Sequence, residues 1–211
     1  MDEAMMMDSV ATIARPTPTT IDADHATDRE IRCAVAPSRL GWVLVAATDP
    51  GITGIDLGAS PRPLIDQLRA RFPSSRLKEG DATCAAWATA VATWIEAPGA
   101  DLDLPLDIQG TACQRRVWAV LRQIPPGRTA SYGEVAKRAG GPATAQEVAQ
   151  ACASNPFAVA IPCHRVIRAD GRLGGYRWGY GRKRDLLRRE SEAASHESGR
   201  SWTERGVPSP P

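Results

Sequence analysis

Hydrophobic and polar positions fall into short periodic blocks along this chain. The run GWVLVAAT at 41–48 is apolar, DPG supplies turn chemistry, and ITGIDLG at 52–58 returns, which predicts a β-hairpin. In PRPLIDQLRARF, Leu64, Leu68 and Phe72 recur at i, i+4 and i+8, the stripe of an amphipathic helix. CAAWATAVATWIEAPG reads as a second helix stopped by Pro98-Gly99. A third stripe, Val117, Trp118, Leu121 and Ile124, runs into a Pro-Pro-Gly stop. Two shorter helices follow, each opening on capping-box spacing: Ser131 with Glu134 in SYGEVAKRAGG, and Thr144 with Glu147 in TAQEVAQACASN. Only GGPA separates them, the connection a helix-turn-helix requires.

These blocks divide the chain. Residues 1–29, rich in Met, Thr, Pro and Asp without periodicity, are expected to be disordered, and so are residues 191–211. Residues 30–106 form a small α/β unit with no evident chemistry, read as scaffold, and residues 107–190 a mainly helical unit. No apolar run approaches the ~20 residues that span a bilayer. The acidic start lacks the apolar stretch of a secretory signal.

Charge sharpens the division. Residues 109–190 hold fifteen Lys/Arg against five Asp/Glu, so a +10 segment sits in a chain whose overall charge is only +2, leaving −8 for the remainder. A basic segment carrying a helix pair suits a polyanion, although a solvated basic face has the same signature. Five cysteines, Cys33, Cys84, Cys113, Cys152 and Cys163, are odd in number and form no C-x-x-C pair. That speaks against a disulfide framework and a zinc site of ordinary spacing, and for a reducing, cytoplasmic setting.

One cysteine stands apart. In AVAIPCHRVIRADG, Cys163 lies between Pro162 and His164. A thiol is nucleophilic only as thiolate, and an adjacent imidazole can take its proton directly or through a water, with a carboxylate elsewhere orienting the imidazole. The same dipeptide also fits a packed cysteine beside a solvent-facing histidine.

The wider context resembles a known family. IPCHRVI, preceded by a helix pair ending in SNP and followed by GRLGGYRWG, is similar to the O6-alkylguanine-DNA alkyltransferases, or methylated-DNA–protein-cysteine methyltransferases. The stretches LPLDIQGTACQRRVW, IPPGRTASYGEVA and GGYRWGYGRKRDLLRRE look most like the C-terminal half of the bacterial Ada-type regulators. The resemblance covers about residues 31–190. It implies a ribonuclease H-like sheet with flanking helices, followed by a mainly helical unit with a winged helix-turn-helix-like DNA-binding element. It implies a monomer that flips an alkylated guanine out of duplex DNA and moves the alkyl group irreversibly to Cys163, with no metal or organic cofactor.

Carried over by position, His164 takes the thiol proton and Glu190 orients His164. Tyr132 donates to the leaving base and crowds the rotating phosphate. Asn155 ties the recognition helix to the cysteine loop. Tyr132, Gly133, Gln146, Ala149 and Arg177 would contact DNA, Arg177 through its backbone N–H, and Trp178 would narrow the pocket against bulky adducts. Small residues on the helix, Ala145, Ala149 and Ala153, suit close approach to the minor groove. Two positions depart from the pattern. Gln146 stands where the family has an intercalating arginine, and Glu147 where it has a small neutral residue, so weaker affinity and flipping are expected, with the thiol chemistry untouched. The main alternative is therefore a reader of alkylated DNA that transfers poorly; a thiol hydrolase built on Cys163 and His164 is a third possibility.

Overall fold

The computed structural model describes residues 30–99, 102–141 and 143–198. The predicted hairpin forms as β2 (Gly41–Thr48) and β3 (Gly51–Gly58). Two strands that the hydrophobic pattern did not mark, β1 (Glu30–Ser38) and β4 (Arg76–Glu79), complete a sheet of order β3-β2-β1-β4. The pairs β1/β2 and β2/β3 are antiparallel, and β1/β4 is parallel. β2 is apolar at nearly every position because both sheet faces are covered. On one face, Leu44 and Ala46 pack with Ile31 against Leu64 and Leu68 of α1 (Pro61–Arg71). On the other, Val43 and Val45 join Ala88, Val91 and Ile95 of α2 (Ala82–Glu96), which Asp81 caps by accepting from Cys84 N at 3.0 Å.

The helical part comprises α3 (Ala112–Arg122), α4 (Tyr132–Ala139), α5 (Ala145–Ala153) and α6 (Tyr180–Ser198), with a two-stranded parallel pair, β5 (Ala130–Ser131) and β6 (Val166–Ile167). Both expected capping boxes form: Ser131 N donates to Glu134 at 2.7 Å, and Thr144 N to Glu147 at 2.7 Å. A third box, Thr111 with Gln114, starts α3. Sheet and helices share one continuous core running from Val43 and Ile55 through Ile95 to Val117, Leu121, Phe157 and Leu186. The architecture is thus a mixed sheet with helices followed by a helical part, as expected at that level.

The expected disorder after Glu190 is corrected as far as Ser198, where α6 ends. The stretch is polar but rich in Ala and Glu, and an Arg188–Glu192 pair at 2.8 Å supports the extra turns at i, i+4. The expected disorder of 1–29 and 199–211 lies outside the described residues.

β3 is one of the sheet's two edge strands, and its outer edge is taken up by the linker before α3 and by the loop after α5. Ile52 N donates to Pro105 O and Asp107 N to Ile52 O, both at 2.8 Å. Three residues on, Ile55 N donates to Pro156 O at 2.8 Å and Ala158 N to Ile55 O at 2.9 Å. The loop leading to Cys163 is thereby stitched to the sheet.

Candidate active site

Cys163 opens a single 3-10 turn, Cys163–Arg165, at the end of the loop that leaves α5. Residues 155–163 are held by the backbone bonds to β3, by local turns and by the Asn155 side chain. Asn155, fully buried, accepts from Phe157 N at 2.9 Å and donates to Ile161 O at 2.8 Å and to Cys163 Sγ at 3.3 Å. Val159 sits at φ +57°, a conformation disfavoured for a β-branched residue, so the turn is strained and depends on these contacts. The thiol is 3 % exposed. Burial pushes its pKa up to about 11, against the opposing Asn155 hydrogen bond and the Lys183 charge, so it rests protonated at neutral pH.

Behind the thiol lies a fully buried polar cluster. His164 Nε2 is 2.8 Å from Glu190 Oε1. Arg165 Nε reaches both carboxylate oxygens at 3.1 Å, its terminal nitrogen reaches Oε1 at 2.9 Å, and it also donates to Ile124 O. Gly127 N adds a fourth donor at 3.2 Å. Burial opposes the charge on Glu190, but hydrogen bonds from His164 and Arg165 hold its carboxyl well below the usual range. Burial lowers the pKa of His164, leaving the imidazole neutral. Nε2–H then donates to the carboxylate, and Nδ1 is left as an acceptor with no hydrogen-bond partner among the described residues. A neutral imidazole, a carboxylate and a guanidinium sum to zero charge, which makes the cluster tolerable in the interior. Gly127 has φ +74°, and a Cβ there would lie 3.1 Å from Glu190 O and 2.8 Å from Ala194 Cβ, so the Pro-Pro-Gly stop is also a packing site for α6.

The wall beside the thiol comes from α4 and residues 174–178. The Tyr132 hydroxyl lies so close to Gly174 that a Cβ there would collide with it. Tyr176 packs edge-on to His164 with centroids 6.3 Å apart, and Trp178 edge-on to Tyr176 at 5.1 Å. Lys183 of α6 is fully buried and donates from Nζ to Val166 O at 2.6 Å, with its charge felt at Cys163. A separate cavity of about 320 Å³ lies behind the loop, lined by Trp94, Ala119, Val159, Pro162 and Arg165 among others, but not by Cys163 or His164.

On the outer face of α5, Ala145, Gln146, Ala149, Gln150 and Ala153 are exposed, an uncharged strip presenting two amides one turn apart. Glu147 does not project from this strip: it folds back onto Thr144 N and Oγ1 at 2.7 and 2.9 Å. The capping box therefore draws in much of the carboxylate expected to oppose DNA. Gly133 on α4 is exposed and nothing lies near the position of a side chain there.

Comparison with known proteins places this geometry. Residues 112–192 match the family model described as 6-O-methylguanine DNA methyltransferase, DNA binding domain. The inducible methylated-DNA–protein-cysteine methyltransferase of Bacillus subtilis (strain 168) is 35% identical over 154 residues, 72% of this chain and 85% of that protein. The chain belongs to the methylated-DNA–protein-cysteine methyltransferase family. The structure of Mycobacterium tuberculosis O6-methylguanine methyltransferase superposes with TM-score 0.64 at 31% identity, covering 77% of this chain and 94% of that one. The bifunctional transcriptional activator/DNA repair enzyme Ada of Escherichia coli (strain K12) is 45% identical over 162 residues, 77% of this chain but 46% of Ada. The chain thus spans about half the length of the Ada proteins it matches.

The residues expected of a methyltransferase of this family are brought together in part. Cys163, His164, Glu190 and Asn155 form one connected buried set, and Tyr132 lies at its rim. Gln146 and Ala149 lie on the neighbouring helix face, and Arg177 is on the wall, its guanidinium 5.8 Å from the Trp178 ring. Arg165, Tyr176, Lys183 and Asp56 escaped the sequence reading. Arg165 stood in the quoted motif as one more basic residue, and only a fold that buries it reveals its carboxylate partner. Among the described residues there is no group of three His, Cys, Asp or Glu arranged to hold a metal, and no helix long and apolar enough to cross a membrane.

Proposed function

We propose that this chain repairs alkylated DNA by stoichiometric transfer of the alkyl group from O6 of guanine to Cys163. The observation that carries this reading is the buried chain of contacts Asn155–Cys163 and His164–Glu190–Arg165 at the foot of a helix pair. A thiol held protonated needs a base, and the free Nδ1 of His164 supplies one, reached through a water. The thiolate attacks the alkyl carbon, the carbon–sulfur bond forms, and the O6–carbon bond breaks with its electrons passing into the purine. Tyr132 donates to the ring nitrogen of the departing guanine and offsets the charge that develops there. The imidazolium is stabilised by Glu190, and Arg165 keeps that carboxylate ionised throughout. The thioether is not hydrolysed, so each molecule acts once.

The partner is alkylated double-stranded DNA, engaged through the minor groove by α5, with Tyr132, Gly133, Gln146, Ala149 and Arg177 at the interface. α4 and α5 act as a helix-turn-helix, with the β5/β6 pair and the loop beyond it as its wing. The sheet order is compatible with a ribonuclease H-like scaffold over 30–106, and 107–190 is the DNA-binding and acceptor unit. The protein acts as a cytoplasmic monomer, and O4-methylthymine is a second substrate.

The exposed, uncharged Gln146 favours one other reading, a lesion reader with weak transfer, but such a reader has no use for a complete proton relay. Intact-protein and peptide mass spectrometry after incubation with duplex DNA bearing one O6-methylguanine decides between them. One methyl group on the Cys163 peptide, absent from Cys163→Ala, is the expected result. Lesion-selective binding with no methyl gained would overturn transfer and leave the reader.

A further inference from the structure

The sheet reaches the pocket wall through one carboxylate. Asp56 lies on β3, one residue beyond the Ile55 backbone that pairs with the Cys163 loop, and its side chain is 16 % exposed. A carboxylate so placed in a strand must be paired to be tolerated. Its Oδ1 accepts from the indole Nε1 of Trp178 at 2.9 Å. Arg71 approaches Oδ2 at 3.6 Å and Arg177 approaches Oδ1 at 4.0 Å. Gly54 on the same strand leaves the room Arg71 occupies, since a Cβ there would strike its guanidinium. None of these groups takes part in the transfer derived above.

Trp178 is held at both ends. Its carbonyl accepts from Arg182 at 2.8 Å, and Arg182 also donates to Leu40 O at 2.7 Å, at the end of the β1–β2 turn. Its indole is held by Asp56. Both tethers therefore run to the N-terminal sheet, while the edge-on ring contacts of the wall continue inward through half-buried Tyr176 to buried His164. An indole fixed through its N–H has one orientation. Released, it can turn about its side-chain torsions and change the width of the space beside Tyr176.

We infer that Asp56 is a specificity-determining positioning residue: by fixing the Trp178 indole it sets the largest O6 substituent the pocket accepts. This rests on the alkyltransferase reading and adds to it a role for the sheet, which otherwise reads as scaffold. The test is single-turnover transfer from duplexes bearing O6-methylguanine or O6-benzylguanine, by the full chain and by Asp56→Ala, Asp56→Leu and Asp56→Asn. Alanine and leucine remove the acceptor; asparagine keeps an oxygen for the indole N–H. The expected result is a benzyl-to-methyl rate ratio raised on the order of tenfold by alanine and leucine, with asparagine close to the native ratio. Leucine, which suits a strand, keeps the comparison available if alanine destabilises the sheet. An unchanged ratio in both, or an asparagine variant shifted as far as alanine, overturns the inference while methyl transfer by the native chain still stands. A native chain that transfers neither group overturns the alkyltransferase reading and this inference with it.

Discussion

Among single side chains, the site balances reactivity against burial. A thiol whose pKa burial pushes up to about 11 is inert until a base relieves it, and burial keeps His164 neutral while Arg165 pairs the charge of Glu190. With His164→Ala the base is gone and solvent must ionise the thiol. Transfer should then fall sharply at neutral pH and rise about tenfold per pH unit up to the thiol pKa, as measured by methyl uptake at a series of pH values. The same cluster fixes the acid response. The carboxyl of Glu190 is depressed in the fold, so its stabilisation is complete above the ordinary carboxylate range and is lost as pH falls from about 4.5 toward about 2. His164 is held neutral, so protonation in the unfolded chain adds a loss beginning below about pH 6.5. Urea midpoints from pH 7 to 3 should decline first through the His164 range and then through the Glu190 range, and Glu190→Gln should remove the lower part of the decline. Arg165→Met leaves a buried carboxylate without its main cation and should cost about 3–5 kcal/mol in urea unfolding.

At the level of helices and strands, three capping boxes start α3, α4 and α5. Ser131→Ala and Thr144→Ala should each lower stability by about 1 kcal/mol, read from urea midpoints. The Thr144 change should also free the Glu147 carboxylate toward DNA and weaken binding beyond what the stability loss explains. Gln146→Arg should tighten lesion-duplex binding on the order of tenfold, about 1.4 kcal/mol, in a direct titration. These helices were legible in the sequence because their signals are local: apolar spacing, a hydroxyl with an acid three residues on, a Pro-Pro-Gly stop. β1 was less legible because EIRCAVAPS mixes charges and small residues, and its pairing partners lie elsewhere in the chain. Cys163 and His164 were marked by thiol–imidazole chemistry and given their roles by the family resemblance, Glu190, Tyr132 and Asn155 came from the resemblance alone, and Arg165, Lys183 and Asp56 depend on what the fold brings beside them. No periodicity announces an arginine that will meet a carboxylate 25 residues away.

Across the whole molecule, the apolar core does not stop at the boundary between sheet and helices, and β3 bonds to both the linker and the cysteine loop. Thermal or urea unfolding followed by tryptophan fluorescence and by far-ultraviolet circular dichroism should give coincident single transitions. Two separated transitions would show that the halves fold independently. The +10 segment 109–190 contains the helix pair, so basic charge is concentrated in the part of the chain that carries α4 and α5. Binding to undamaged duplex should therefore weaken steeply with added salt, in a log–log plot whose slope counts the phosphates engaged.

The sealing of Cys163 has a consequence for what its chemical state records. At 3 % exposure, with its proton firmly held, the sulfur is nearly invisible to small electrophiles diffusing in solution. In the transfer proposed above, a rotated base brings an alkyl carbon to it in the right line. The fraction of molecules carrying a thioether then counts lesions encountered in DNA rather than reagent present in the surrounding medium. A population of these chains is in that sense a dosimeter, cumulative and without a reset.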